Sequence, residues 1–181
     1  MPKQSKPSAS PAPAVRTRRA YFDWRFGQLH VRTAFPTTGG FDERVTLVCL
    51  HSAPGTSRMF HRVLPLLATD RSIYAPDLPG AGESDPAPEP GIGRSADAVS
   101  DLIADLRLRQ VDLLGFLDGC LVASKLAQDQ PAIVRRLLLV GPPAGQPLPA
   151  VQQQSLVLRE FTGDVLEVAP ELLVGRIREF L

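Results

Sequence analysis

The chain has only two cysteines, and Cys49 and Cys120 both lie inside apolar runs with no CxxC or zinc-ligand spacing around them. That pattern gives no disulfide framework and no cysteine metal site; it leaves two small buried hydrophobes and fits a reducing, cytoplasmic setting. Long apolar runs are missing as well. Nothing approaches the ~18 consecutive apolar residues of a membrane span, and the first residues lack the apolar stretch of a secretory signal, so a soluble protein is expected. With a formal net charge of only +1 there is no global field to draw in nucleic acid or an anionic membrane, and neither is expected as a partner. No spacing calls for a cofactor or metal, and none is expected. Histidine is scarce in a way that matters: His30, His51 and His61 are the only three, and none follows residue 61.

What charge there is sits unevenly. Lys3, Lys6, Arg16, Arg18 and Arg19 meet no acidic residue before Asp23; without those five, 15 basic residues face 19 acidic ones, a body at −4. The stretch that carries them, "MPKQSKPSASPAPAVRTRR", is rich in Pro, Ser and Ala. It reads as a disordered basic tail over residues 1–19. Its repeated prolines exclude the continuous amphipathic helix of an organelle-targeting peptide. The remaining length, in a chain that is 44% hydrophobic, is enough for one domain with a sizeable core.

Beyond the tail, "YFDWRFGQLHVRTAF" has two β-rich stretches around Phe26 and Gly27, a hairpin pattern. "VTLVCL" is apolar on both faces, as a buried parallel strand must be. Next, Met59, Phe60, Val63, Leu64 and Leu67 are spaced for one helix face, interrupted or kinked by Pro65. "SIYAPDLPG" reads as a strand and its turn. A Pro-rich loop, "DPAPEPGIG", then leads to a helix that Ser95 is placed to cap, with Ala96, Val99, Leu102, Ile103 and Leu106 as its stripe. "VDLLGFL" is a short buried strand, "GCLVASKLAQDQ" a helix ending before Pro131, and "VRRLLLV" a further strand. This alternation specifies an α/β fold: a mostly parallel sheet with helices on both faces. The last segment reads as two helices and no strand, with Leu156, Val157, Phe161, Leu173, Val174, Ile177 and Phe180 needing cover.

Three landmarks stand in order: "LHSAPGTS" over residues 50–57, "APDLPGAGESD" over 75–85, and "GFLDGC" over 115–120, set between a strand and a helix. Together they resemble the N-terminal half of an α/β-hydrolase over about residues 21–143. The first is similar to the family's HG-x-P-G loop, the second to its D-x-P-G-x-G-x-S turn, and the third to its nucleophile elbow. The resemblance implies loop-structural roles for His51, Asp77 and Gly80, and oxyanion-hole backbone N–H groups at Ala53 and Asp118.

The elbow needs small residues two before and two after its centre. Gly115 and Gly119 satisfy this only when the centre is Leu117; centring on Asp118 puts Phe116 in a small position, and centring on Cys120 puts Asp118 and Val122 there. Leucine has no group to attack a carbonyl. In the family the histidine base follows the nucleophile, whereas every histidine here precedes it, and His30 and His61 read as structural or surface residues. Of the later carboxylates, Glu160, Asp164, Glu167, Glu171 and Glu179 read as solvated helix-surface groups. The catalytic set is therefore expected to be empty.

The resemblance further implies that residues 20–147 form an incomplete core, that 148–181 begin a helical lid, and that the C-terminal strands are missing. This leaves the strand around 137–140 as an open edge for self-association. The expected function is a relative of hydrolases of ester-like or other acyl bonds in small apolar substrates, truncated and catalytically inactive. Two alternatives remain: a non-catalytic module on the same fold that binds a small apolar molecule or acts as a scaffold, with Leu117 lining the pocket, and a hydrolase of non-standard chemistry completed by a C-terminal half.

Overall fold

A computed structural model describes residues 15, 17–37, 44–161 and 163–181. Residues 1–14 and 16, where most of the basic tail falls, lie outside this set. Thr17, Arg18 and Arg19 already belong to the first strand, so ordered structure starts before residue 20.

Seven strands form one sheet in the order β1-β2-β4-β3-β5-β6-β7. β1 (Thr17–Trp24) and β2 (Gly27–Ala34) make the expected antiparallel hairpin, and β2 runs antiparallel to β4 (Ile73–Pro76). β3 (Leu47–Leu50), β5 (Val111–Phe116) and β6 (Val134–Val140) continue from β4 in parallel. The strands read as apolar throughout because both faces are covered. Val48, Leu50, Leu113, Leu137 and Leu139 pack beneath α2 (Ile92–Asp105) and α3 (Gly119–Asp129). Leu47, Cys49, Leu114, Phe116, Leu138 and Val140 face the other way, onto α1 (Val63–Leu67), α4 (Val165–Val168) and α5 (Pro170–Phe180). Adjacent residues alternate between faces, as the period-2 pleat requires.

Three expectations change on contact with the structure. The helix expected across Pro65 is split into a 3-10 turn, Ser57–Phe60, and α1. Proline has no N–H and its ring collides with the carbonyl four residues back, so a helix can contain Pro65 only in its first turn. Ser95 caps nothing: α2 starts at Ile92 with Gly91 at its N-cap, and the Ser95 N–H already donates to the Gly91 carbonyl at 3.0 Å.

The third change concerns the last segment, which contains a strand after all. β7 (Gln154–Leu158) pairs in parallel with β6, from Arg136↔Gln154 to Val140↔Leu158. Five residues are too few for periodicity to separate a strand from a helical turn, and the decisive contact is distant, with Leu158 buried in the same cluster as Val140. β6 is therefore not the sheet's edge; β7 is. α4 and α5 follow, and Leu173, Val174 and Ile177 find their cover against α1 and the sheet. Among the described residues no helix is long and apolar enough to cross a membrane.

Candidate functional site

The chain passes from β3 to its neighbour β4 and then crosses back to β5 on the other side of β3. Where connections from one strand diverge like this, the loops at the carboxyl ends part and leave a crevice. Here the loop after β3, the loop after β4 and the turn from β5 into α3 enclose a cleft of about 520 Å³. Its wall includes His51, Ala53, Leu78, Gly80, Asp118 and Val122.

The turn into α3 is fixed by lack of room. A methyl group on Gly119 would stand 2.2 Å from the Leu50 carbonyl oxygen and 2.7 Å from that of His51, and one on Gly115 would stand 2.6 Å from the Gly119 carbonyl oxygen. Between them Leu117 has φ +49°, in the left-handed region. That conformation costs a side-chain-bearing residue about 1–2 kcal/mol. It is held by two hydrogen bonds of 2.9 Å: the Leu117 N–H donates to Val140 O, and the Leu117 carbonyl accepts from the Cys120 N–H.

The Leu117 side chain does not line the cleft. Its Cδ2 lies 2.9 Å from where a methyl on Gly141 would be and its Cδ1 3.6 Å from one on Gly163, and it packs against the core cluster beneath α5. The idea that this leucine adds apolar lining to the pocket is therefore set aside. Ala53 and Asp118 do share the cleft wall, and neither backbone N–H donates to a backbone carbonyl among the described residues.

Neither the histidine nor the cysteine beside the turn is free to act. The His51 Nδ1–H donates to the Ser52 carbonyl at 2.9 Å, while its Nε2 accepts the Leu78 N–H at 2.9 Å. Both ring nitrogens are spent in stapling the β3 loop to the β4 loop, and burial holds the ring's pKa below the ordinary histidine value. Cys120 is close to the turn, but burial pushes its thiol up to about 12 and its Sγ leans on the Gly115 carbonyl at 3.2 Å. Neutral and enclosed, it is no nucleophile. The late carboxylates are also elsewhere: Glu160 and Glu179 lie near Arg176, Glu167 lies beside His61, and none of the five lines the cleft. Among the described residues no three His, Cys, Asp or Glu side chains gather as a metal site requires.

Asp77 organises the β4 loop. Its Oδ1 accepts the Ser57 N–H at 2.6 Å, and its Oδ2 accepts from His30 Nδ1 at 2.8 Å and from the Glu83 N–H at 3.2 Å. Gly80 has φ +78°, and a methyl there would meet only Pro86, at an ordinary contact distance of 3.8 Å. Gly82, the second glycine of the motif, is the tighter position: at φ +55°, a methyl there would stand 2.1 Å from Asp77 Oδ2. His30 was equally hard to place from sequence, because only the folded hairpin brings β2 against this loop.

Two outcomes follow. Gly119→Ala must push α3 away from backbone, which cannot yield as a flexible side chain would; a loss of about 3 kcal/mol or more is expected in urea unfolding. Burial alone would raise the Asp77 pKa, but the hydrogen bonds from Ser57, Glu83 and His30 outweigh it and hold the carboxyl below its ordinary value. The stability this gives is present above the unfolded carboxyl's pKa, about 3.9, and is lost as pH falls through the lower folded value. Asp77→Asn should therefore cost about 1–3 kcal/mol at pH 7, and the gap from the parent should narrow in melts below about pH 4. A gap independent of pH would mean the carboxylate's charge is immaterial.

The sequence compares with known proteins in the same sense. Residues 45–181 match the family model described as the alpha/beta hydrolase fold. The chain is 38% identical over 98 residues to a juvenile hormone epoxide hydrolase of Bombyx mori, covering 49% of this chain and 21% of the relative. It is 33% identical over 100 residues to a pimeloyl-[acyl-carrier protein] methyl ester esterase of Aeromonas hydrophila, covering 55% and 39%. Among solved structures it superposes on the naproxen esterase of Bacillus subtilis with a TM-score of 0.65 and 26% identity, over 75% of this chain and 46% of that one. The chain thus spans less than half the length of these relatives. With the sheet order, the strained turn between Gly115 and Gly119 and the match over residues 45–181 all in agreement, the chain belongs to the α/β-hydrolase fold family.

Proposed function

We propose that these 181 residues form a catalytically inactive member of the family, one whose cleft holds a small, largely apolar molecule by a carbonyl or carboxylate oxygen without attacking it. The observation that carries this reading is the register of the strained turn. Gly115 and Gly119 leave no room for a side chain, so the centre is Leu117, an alkyl group directed away from the cleft. A leucine can neither add to a carbonyl nor be activated by a base. The imidazole in the cleft wall, His51, already has both nitrogens engaged.

The two backbone amides of the cleft wall support the binding half of the reading. Backbone donors do not depend on side-chain identity, so an oxyanion hole made from the Ala53 and Asp118 N–H groups outlasts the loss of a nucleophile. In a hydrolase such donors stabilise charge that develops during reaction; without a nucleophile they fix the ligand's oxygen. Leu78, Ile92, Leu121 and Val122 supply the apolar remainder. The esterases and epoxide hydrolases among the relatives suggest ligands of ester-like size and polarity.

The test pairs p-nitrophenyl butyrate with the matching aryl ketone, which cannot be hydrolysed. Saturable binding of the ketone is expected, abolished by Ala81→Trp, which fills the cleft, while ester hydrolysis stays at the buffer rate. Leu117→Ser should leave hydrolysis within about twofold of the parent, because the new hydroxyl has no base to take its proton. Turnover by the parent that disappears in Asp118→Ala would overturn the reading and make that carboxylate the working group.

A further inference from the structure

A second hollow of about 540 Å³ lies behind the Thr56 and Gly82 wall of the cleft, and its lining is of a different kind. Arg19, Arg32, Arg58 and His61 stand around it, with His30, Ser57 and Asp77 among the lining residues. Two polar atoms on these residues are buried without a hydrogen-bond partner: His30 Nε2 and Arg32 Nε. His30 is only 2% exposed, so bulk water does not serve it. Buried polar groups are nearly always paired, and each left unpaired costs stability. Two around one hollow mark a place where something polar belongs.

The charges decide what that is. The Asp77 carboxylate is used up by the Ser57 and Glu83 amides and by His30, and Glu83 accepts from the Tyr21 hydroxyl and lies 3.6 Å from Arg19. His61 faces Glu167 at 3.4 Å. Arg32 and Arg58 remain, and neither pairs with a carboxylate among the described residues. The surplus in the hollow is therefore cationic, and it consists of donors.

We propose that this hollow binds a phosphate group. The Arg32 and Arg58 guanidinium groups present donors that a tetrahedral anion with several acceptor oxygens can meet at once. The volume exceeds what the anion alone needs, leaving space for the organic part of a phosphomonoester. The site does not draw on the cleft's residues for chemistry, so it stands or falls independently of the proposed function.

The experiment is calorimetric titration of the 181-residue chain at pH 7, in a phosphate-free buffer, with inorganic phosphate and with phenyl phosphate. Saturable binding at about millimolar concentration or tighter is expected. Arg58→Ala, at an exposed position where folding is not at risk, should weaken it about tenfold or more, as should Arg32→Gln. Arg44→Ala, whose partner is Asp70, should leave it unchanged and serves as the control for net charge. Tighter binding of phenyl phosphate would identify an ester as the source, and equal binding the free anion. Absence of saturation with both ligands, or an affinity unmoved by Arg58→Ala in a protein with an unaltered melting curve, would overturn the proposal and leave a hydrated void.

Discussion

Everything functional in this molecule depends on one close approach: the first residue of α3 passes so near the end of β3 that a methyl on Gly119 would touch two carbonyl oxygens. That approach sets the helix against the sheet, and it forces the chain between Phe116 and Gly119 into a turn too tight for ordinary backbone. Leu117 takes the left-handed conformation because its neighbours leave it none other. The cleft wall formed by the turn and the identity of the residue at its centre both follow from this packing. The steric argument is also the functional one, since the same glycines that allow the turn exclude Asp118 and Cys120 from its centre.

The loops around the cleft are held by a second principle, saturation of buried polar groups. His51 joins two loops through both ring nitrogens, and Asp77 gathers an amide from the turn after β3, an amide from its own loop and the imidazole of β2. Neither residue has capacity left for a reaction. A histidine and an aspartate near an apparent active site invite a catalytic reading, yet counting their bonds assigns them to architecture. The same counting, applied to His30 Nε2 and Arg32 Nε, gives the opposite result and points to a second hollow.

How much of this was legible beforehand depended on whether the deciding contact was local. The parallel strands were readable because residues such as Val48 and Cys49 are buried on opposite faces, which writes a continuous apolar run into the sequence. The turn's register was readable because two glycines at fixed spacing carry it. β7 was not, since "QSLVL" becomes a strand only by pairing with β6 and seating Leu158 in a core assembled from distant residues. The early break before Pro65 and the Gly91 cap of α2 were missed for a smaller reason: boundaries follow from which backbone groups are satisfied, and hydrophobic spacing does not report that. His30 lay beyond reach because its partner, Asp77, is 47 residues away.

The leucine at the turn's centre sharpens the distinction between a fold and its chemistry. In an enzyme a strained residue at this point exposes a reactive atom, and the strain is part of the mechanism. Here an alkyl side chain bears the same strain, about 1–2 kcal/mol, with no reactive group to present. The Val140 and Cys120 hydrogen bonds and the crowding at both glycines suffice to maintain it. The turn is therefore self-sufficient as a packing device: the sheet and α3 demand it whatever residue stands at its centre. A scaffold of this kind can hold its cleft whatever residue stands at the centre, because the cleft wall is fixed by the backbone path and not by the side chain at position 117.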